Sequence, residues 1–329
     1  MSKGSLQGCL GDTIRNSHFF IKKHNYTIMK TKILLSTLFG LLLISCKDNS
    51  NTPNQHSDTQ ESELYYVYDY ANHTAMVTHT PYDESLGMQD AGYSGNIIIP
   101  SHTTYYDEEY EVTSIGRLAF AMCEDMYSVK IPQNITSIGS LAFVGNSSLR
   151  TITIEKGNPI YDSRYNCNAI IETETSTLIY GCNGTIIPND ILIIGTESFE
   201  SLTFESMPIP EGVKRIEHHT LWRLPNLRSI EIPNSVVFIG ENVLSYCESL
   251  ESVSLGKSIE QLDYDVLRNN PCLKEITCYA IEPPQCKASC FIGISEDAIL
   301  YVPAQSVSKY AENNVWGNTF KEVRPIETN

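Results

Sequence analysis

Arg215-Ile216-Glu217, Phe238-Ile239-Gly240 and Gln261-Leu262-Asp263 each centre on an aliphatic side chain, and the centres at 216, 239 and 262 are 23 residues apart. Four more apolar columns keep this spacing: Leu221, Leu244 and Leu267; Leu227, Leu250 and Leu273; Ile230, Val253 and Ile276; Ile232, Leu255 and Cys278. A period of this length, shared by five columns, is typical of a solenoid in which each unit stacks on the next.

The same columns continue toward the N-terminus with one irregularity. The first column continues with Ile115, Ile138 and Ile194, and the second with Phe120, Phe143 and Phe199. Positions 138 and 194 are 56 residues apart, which is one period of 23 plus 33 residues. Six units are recognisable, and the gap holds either an insertion or a divergent repeat.

The end of each unit has the pattern of a short strand. Residues 149–154, Leu-Arg-Thr-Ile-Thr-Ile, end in a period-two alternation of apolar and polar side chains. One unit alone exposes most of its aliphatic side chains, whereas stacking buries them, at about 1.5–3 kcal/mol each. The sequence therefore predicts a mainly β, α/β-poor solenoid of about six 23-residue units with one continuous apolar core.

Two of these units carry a recognisable motif. Residues 136–143 read Thr-Ser-Ile-Gly-Ser-Leu-Ala-Phe, and Ser148-Leu149-Arg150-Thr151-Ile152 follow; residues 232–253 repeat the pattern. These units resemble the BspA-type leucine-rich repeat, found in surface proteins of anaerobic gut and oral bacteria and of some parasitic protists. The resemblance covers about residues 97–278, and the tail to about 326 resembles the family's usual ending. It implies a leucine-rich-repeat stack and a surface binding or adhesion function, but it identifies no ligand.

The N-terminal region has the features of an export signal. Residues 1–28 have no pattern, which is consistent with a start codon placed too early and Met29 as the true start. Residues 29–46 contain two lysines and then twelve apolar positions, too few to span a bilayer but enough for a signal peptide. The ending Leu43-Ile44-Ser45-Cys46 resembles a lipobox, which implies lipidation of Cys46. An ordinary signal peptide or a short buried helix are the alternatives.

The mature chain would be strongly acidic. The net charge is -16, and removing residues 1–46 takes away six basic groups and one acidic group, which gives -16 - 5 = -21. This charge argues against nucleic acid and anionic membrane surfaces as ligands. Residues 47–63 lack aliphatic and aromatic side chains and are expected to be a disordered tether. Lys47-Asp48 resembles the signal for surface exposure, so we expect an exported outer-membrane lipoprotein attached through its lipid.

The remaining chain divides into three parts. Residues 64–112 alternate and are dense in tyrosine, which predicts an N-terminal β cap. Residues 113–278 form the predicted solenoid, with a hairpin insertion at 156–188, and residues 279–329 form a mixed C-terminal cap that includes Trp316 in its core. Tyrosines of the N-terminal part are expected mainly to pack, with sugar or protein binding as the alternative.

The cysteines permit several pairings. In the predicted hairpin, paired residue numbers sum to 349 across the loop 173–176, so Cys167 faces Cys182, and a disulfide is plausible in an exported protein. The alternative is two free core cysteines. Four late cysteines leave three pairings open: Cys272, Cys278, Cys286 and Cys290. Their spacing lacks the paired motifs of a structural zinc site, so no metal and no cofactor is expected.

Two surfaces are candidates for binding. The first, which we name the strand face, consists of small polar and charged side chains that point outward from the strands: Ser128, Lys130, Thr151, Thr153, Ser229, Glu231, Ser252 and Ser254. It is either a recognition face or simply a hydrated β-surface. The second is an exposed patch on the turn side: His218, His219, Trp222 and Arg223.

The sequence contains none of the common catalytic motifs, so we expect a protein that is not an enzyme. Two binding functions remain. The first is a lipid-anchored adhesion protein that recognises proteins on host or neighbouring bacterial cells. The second is a glycan-binding accessory lipoprotein for nutrient capture. The outward strand columns contain no aromatic residue, which favours protein binding.

Overall fold

The computed structural model describes residues 29–30, 64–80, 82–83, 88–89 and 92–327. The unpatterned extension, Cys46 and the expected tether therefore lie outside the described residues. Within the described ranges, no helix combines the length and the apolar character needed to cross a membrane.

The strands are short, with two to eight residues each. The first eight are β1 (Met29–Lys30), β2 (Tyr65–Asp69), β3 (Thr74–Thr78), β4 (Tyr82–Asp83), β5 (Met88–Gln89), β6 (Gly95–Ile98), β7 (His102–Tyr105) and β8 (Glu108–Ile115). The next eight are β9 (Met126–Ile131), β10 (Ser137–Ile138), β11 (Thr151–Ile154), β12 (Tyr161–Asp162), β13 (Ala169–Glu172), β14 (Thr177–Gly181), β15 (Ile193–Ile194) and β16 (Arg215–Ile216). The last seven are β17 (Ser229–Ile232), β18 (Phe238–Ile239), β19 (Ser252–Leu255), β20 (Gln261–Leu262), β21 (Glu275–Cys278), β22 (Ile299–Val302) and β23 (Glu322–Pro325).

In the described part of the chain, helical segments are few and short. The α-helices are α1 (Val307–Ala311) and α2 (Trp316–Thr319), and the 3-10 helices are Arg164–Asn166, Ala288–Phe291 and Ala304–Ser306.

The 23-residue period becomes in-register parallel pairing. One sheet stacks β17, β19, β21, β22 and β23, and Ser229 pairs with Ser252, which pairs with Glu275. A seven-stranded sheet contains the short strands of the first column from Ile194 onward, and in it Ile216 pairs with Ile239. The apolar columns point between these sheets, and most of their members are fully buried. The predicted mainly β solenoid is confirmed.

Each coil turns through two residues in the left-handed region. Asn242 and Tyr246, four residues apart, have φ of 57° and 60°, and His219 and Arg223 occupy the same places one coil earlier with 54° and 57°. Left-handed residues reverse the chain within a few positions, and this lets a coil close in 23 residues.

Buried asparagines hold the turns of successive coils together. The side-chain carbonyl of Asn270 accepts a hydrogen bond from Cys247 N–H at 2.8 Å, and its amide donates to Leu244 O and Leu267 O at 2.8 and 2.9 Å. One side chain thus satisfies three backbone groups that water cannot reach. Asn146 makes the corresponding contact to Cys123 N–H at 2.8 Å.

The 56-residue gap contains a hairpin that is part of the stack. β13 and β14 pair antiparallel, and β14 pairs parallel with β15, so Leu178 lies opposite Ile194 and fills the first column. The hairpin also divides the core, which corrects the expectation of one continuous core. Ile170 packs with the N-terminal apolar cluster, whereas its neighbour Ile171 packs with the C-terminal cluster. Successive strand residues point to opposite faces, and in this hairpin both faces are buried.

Different arrangements cover the two ends of the stack. At the N-terminal end, β1, β2, β3, β8 and β10 form one sheet, with β7 paired to β8. At the C-terminal end, β22 and β23 extend the parallel sheet beyond β21. Trp316 is fully buried there, as a core residue should be, and its indole N–H donates to Pro284 O at 2.9 Å.

Candidate functional site

The strand face is present but interrupted. Its side chains are exposed or half-buried, and register aligns them in two groups: Ser128, Lys130, Thr151 and Thr153 on β9 and β11, and Ser229, Glu231, Ser252 and Ser254 on β17 and β19. These groups belong to separate sheets. In the described chain, residues 204–209 form no strand and make no backbone hydrogen bond to β17. Pro208 lacks the N–H that a strand would need there.

A cavity of about 310 Å³ lies beside this interruption. Its lining includes the apolar side chains of Phe199, Phe204 and Met207 and the polar side chains of Asn183 and Thr185. The missing strand therefore leaves a concave, largely apolar depression between the two parts of the strand face.

A second cavity, of about 430 Å³, lies on the C-terminal part of the strand face. Glu231, Asn234, Ser254, Lys257 and Tyr279 contribute to its wall. Tyr279 follows β21 directly and its side chain is exposed. The face thus carries an aromatic ring that the strand columns alone did not predict.

The patch predicted on the turn side is assembled, with one change of membership. The His219 and Trp222 rings meet edge to face at 5.5 Å, and the Trp222 and Tyr246 rings meet at 6.3 Å. The Arg223 guanidinium lies 4.2 Å from the centre of the Trp222 ring, within cation–π distance. We call these four residues, His219, Trp222, Arg223 and Tyr246, the turn-side cluster.

His218 does not join the turn-side cluster, although the sequence grouped it there. Its ring packs against Phe238 at 6.3 Å, and its Nδ1 accepts a hydrogen bond from Glu241 N–H at 2.9 Å. Trp222 is half-buried, which corrects the expectation of an exposed ring. Its indole Nε1 is buried and has no hydrogen-bond partner among the described residues.

An acidic side chain borders the turn-side cluster. Burial raises the pKa of Glu200 to about 7, with a further contribution from the nearby Glu197 carboxylate, while Arg223 acts in the opposite direction. The charge beside the cluster therefore changes near neutral pH.

The predicted disulfide between Cys167 and Cys182 is absent; both are free, buried thiols. The register explains why. Ile171 pairs with Leu178 as expected, but Ile170 pairs with Tyr180, so Ile179 forms a β-bulge and the register shifts by one residue. Cys167 then lies in the C-terminal apolar cluster and Cys182 in the N-terminal one.

The late cysteines differ in their surroundings. Cys272 is exposed, whereas Cys278 is buried and accepts a hydrogen bond from the Tyr310 hydroxyl at 3.2 Å. Cys286 is half-buried, and the thiol of the buried Cys290 donates a hydrogen bond to Asp263 O at 2.8 Å. None of the described residues form a group of three or more His, Cys, Asp or Glu side chains suited to a metal ion.

Comparisons with solved structures found bacterial proteins that cover most of this chain. A leucine-rich repeat protein of Eubacterium ventriosum is 12% identical with a TM-score of 0.50, over 81% of this chain and 94% of that one, and it shows a shared fold. The pneumococcal vaccine antigen PcpA is 14% identical with a TM-score of 0.44, over 82% and 98% of the two chains. A leucine-rich repeat protein of Bacteroides ovatus is 19% identical with a TM-score of 0.38, over 82% and 76%.

No curated protein matches the sequence significantly. The family comparison is decisive. Residues 101–182 and 178–293, more than half of the chain, match the BspA type leucine rich repeat region in six copies. Solenoids of this kind are typically binding scaffolds whose function resides in their surfaces. The chain belongs to the BspA-type leucine-rich-repeat family.

Proposed function

We propose that this chain is a cell-surface binding protein that recognises proteins on host or neighbouring bacterial cells. In this proposal a lipid on Cys46 anchors it to the outer membrane, and residues 47–63 act as the tether. The repeat family and the lipobox-like sequence support this assignment. The acidic charge supports attachment through lipid instead of electrostatic adsorption.

One observation carries the choice of a protein ligand: the turn-side cluster is already assembled. Trp, Tyr and Arg are the residues most enriched in protein–protein hot spots. In this cluster they contact one another across two adjacent coils. The Arg223 guanidinium of one coil lies 5.8 Å from the centre of the Tyr246 ring of the next. Mutual packing restricts these side chains before a partner arrives, so little ordering entropy is lost on binding.

The test is a binding screen with the chain from residue 47 onward against host-matrix and bacterial surface proteins. For a ligand that binds, Trp222→Ala should weaken affinity by at least about tenfold. Trp222→Phe keeps a six-membered aromatic ring and removes the pyrrole part of the indole, whose N–H has no acceptor among the described residues, so it should weaken affinity less than Trp222→Ala does. Tyr165→Ala removes an exposed ring elsewhere and is the matched control. Equal effects from Trp222→Ala and Tyr165→Ala would contradict the role of the cluster.

Glycan binding is the second candidate, and Tyr279 favours it. Its exposed ring borders the 430 Å³ cavity together with Glu231 and Asn234, and this combination suits a sugar that stacks on an aromatic face and hydrogen-bonds at its edge. A glycan array probed with the native chain and the Tyr279→Ala variant tests it. A sugar retained by both variants alike would count against this site.

The lipid anchor has its own test. Mass spectrometry of the N-terminal peptide from membrane fractions should find an acylated Cys46 as the first residue. A free amino group on any other residue would contradict the anchor without touching the proposed binding function.

A further inference from the structure

The N-terminal sheet carries exposed aromatic rings at the tips of two hairpins. Tyr70 follows β2 and is 47% exposed, and Tyr106 lies between β7 and β8 and is 76% exposed. Tyr105 joins them, since its ring lies 6.0 Å from that of Tyr70 and 4.4 Å from that of Tyr106. We call the two exposed residues, Tyr70 and Tyr106, the tyrosine patch, and Tyr105 is part of the buried layer beneath it.

A buried aromatic layer supports the tyrosine patch from below. Tyr68 stacks on Tyr105 at 4.6 Å and meets Tyr110 edge to face at 5.0 Å, and all three rings are buried. Tyr110 in turn contacts Tyr70 at 6.2 Å. The exposed rings therefore project from a packed base, which limits their freedom before any ligand binds.

The conformation of Tyr106 is costly for a tyrosine. Tyr105 pairs with Glu108, so Tyr106 and Asp107 form a two-residue hairpin loop, with φ of 49° and 62°. Such loops favour Asn, Asp or Gly at both positions, because a bulky side chain is strained at positive φ. The chain places an exposed ring where a small residue would be more stable, and strain of this kind is typical of functional positions.

The charge around the tyrosine patch has one sign. The described residues 64–80 and 92–116 contain five Asp and Glu residues and no Lys or Arg. All five carboxylates lie on or beside the two hairpins and are exposed: Asp69, Asp107, Glu108, Glu109 and Glu111. Aromatic faces and carboxylates together attract Lys and Arg side chains, through cation–π contacts and ion pairs.

We propose that the tyrosine patch binds a basic polypeptide segment. Its Arg or Lys side chains would lie over the rings of Tyr70 and Tyr106 and pair with the surrounding carboxylates. The site is separate from the turn-side cluster, whose own cation is Arg223, so each surface selects a different partner. A neutral glycan could stack on the same rings but would make no use of the charge.

The experiment measures binding of a labelled Lys- and Arg-rich peptide to the chain from residue 47 onward by fluorescence anisotropy, with an Asp- and Glu-rich peptide of equal length as the control ligand. We expect a Kd on the order of micromolar at low salt for the basic peptide only. Tyr106→Ala should weaken binding about tenfold, whereas Tyr106→Phe should retain it. Tyr165→Ala and Trp222→Ala should change it less than about twofold, which keeps this result independent of the turn-side cluster.

Three outcomes would overturn the proposal. Binding that is insensitive to Tyr106→Ala would reduce the effect to general attraction by an acidic surface. Competition by neutral oligosaccharides would assign the patch to glycans. Self-association that Tyr106→Ala abolishes would make a second copy of the chain the occupant. Circular dichroism of each variant establishes that a loss of binding does not come from unfolding.

Discussion

Replacing Asn270 with alanine tests whether the buried asparagines stabilise the stack of coils. The side chain is fully buried and makes three hydrogen bonds to backbone groups of its own coil and the preceding one. A buried hydrogen bond contributes about 1 kcal/mol net, and a donor left without a partner costs about 1–3 kcal/mol. Asn270→Ala should therefore lower the free energy of unfolding by about 3 kcal/mol.

Two further variants make the measurement specific. Asn226→Ala removes one exposed hydrogen bond, from the side-chain amide to Thr203 O at 3.0 Å, and should cost less than about 0.5 kcal/mol. Asn270→Asp keeps the acceptor for Cys247 N–H but loses both donors and also buries a charge. It should therefore lower the free energy of unfolding by at least as much as Asn270→Ala does. Urea unfolding followed by circular dichroism gives the values. A loss below about 1 kcal/mol for Asn270→Ala, or one equal to that of Asn226→Ala, would refute the reasoning.

Three other predictions concern the hairpin and the turn side. Glu200 has a raised pKa, so the folded state binds its proton more tightly than the unfolded chain does, and stability falls as pH rises from about 4.5 through about 7. Glu200→Gln should thus raise the free energy of unfolding by about 1–2 kcal/mol at pH 8 and hardly change it at pH 4. Thermal unfolding at both pH values measures this, and an equal change in melting temperature at pH 4 and pH 8 would contradict it. Gly181→Ala would place a methyl group against the Phe199 ring, closer than van der Waals contact allows, so it should lower the free energy of unfolding by about 1–3 kcal/mol, with partial rescue by Phe199→Leu in chemical unfolding. Burial raises the pKa of the Cys167 and Cys182 thiols, so both should resist alkylation in the native chain and react fully after unfolding without reductant. If they do not react after unfolding, the two cysteines are joined by a disulfide and the prediction is wrong.

Most of the stack was predictable because burial depends on spacing. Each apolar column recurs with the length of one coil, so residues such as Ile216 and Ile239 must lie one above the other. The interruption at Pro208 was also readable, since proline cannot complete a ladder, but the small polar residues on either side suggested a continuous face. Spacing shows which residues share a column, whereas it does not show whether neighbouring strands remain hydrogen-bonded.

The expected disulfide and the expected membership of the turn-side patch were wrong at places where a single residue changes the direction of its neighbours. One extra residue at Ile179 shifts the pairing of the hairpin, so Cys182 lies opposite Asn168 instead of Cys167, and its thiol contacts Asn168 O at 3.3 Å. Tyr246 joins the turn-side cluster from a left-handed position, and no periodicity in the sequence predicts that conformation for a tyrosine. His218 and His219 separate because one of them lies in this region and the other does not.

The divided core connects these local features to the proposed functions. The N-terminal apolar cluster underlies the tyrosine patch, and the C-terminal cluster underlies the turn-side cluster. Among the described residues, the hairpin contributes buried side chains to both, through Ile170 on one face and Ile171 on the other. Substitution of either residue by alanine should cost about 2–5 kcal/mol, but it acts on a different half of the stack in each case. Local stability in a repeat stack is set mainly by neighbouring coils. If the two surfaces bind independently, Ile170→Ala should therefore weaken binding at the tyrosine patch more than binding at the turn-side cluster, and Ile171→Ala should do the reverse.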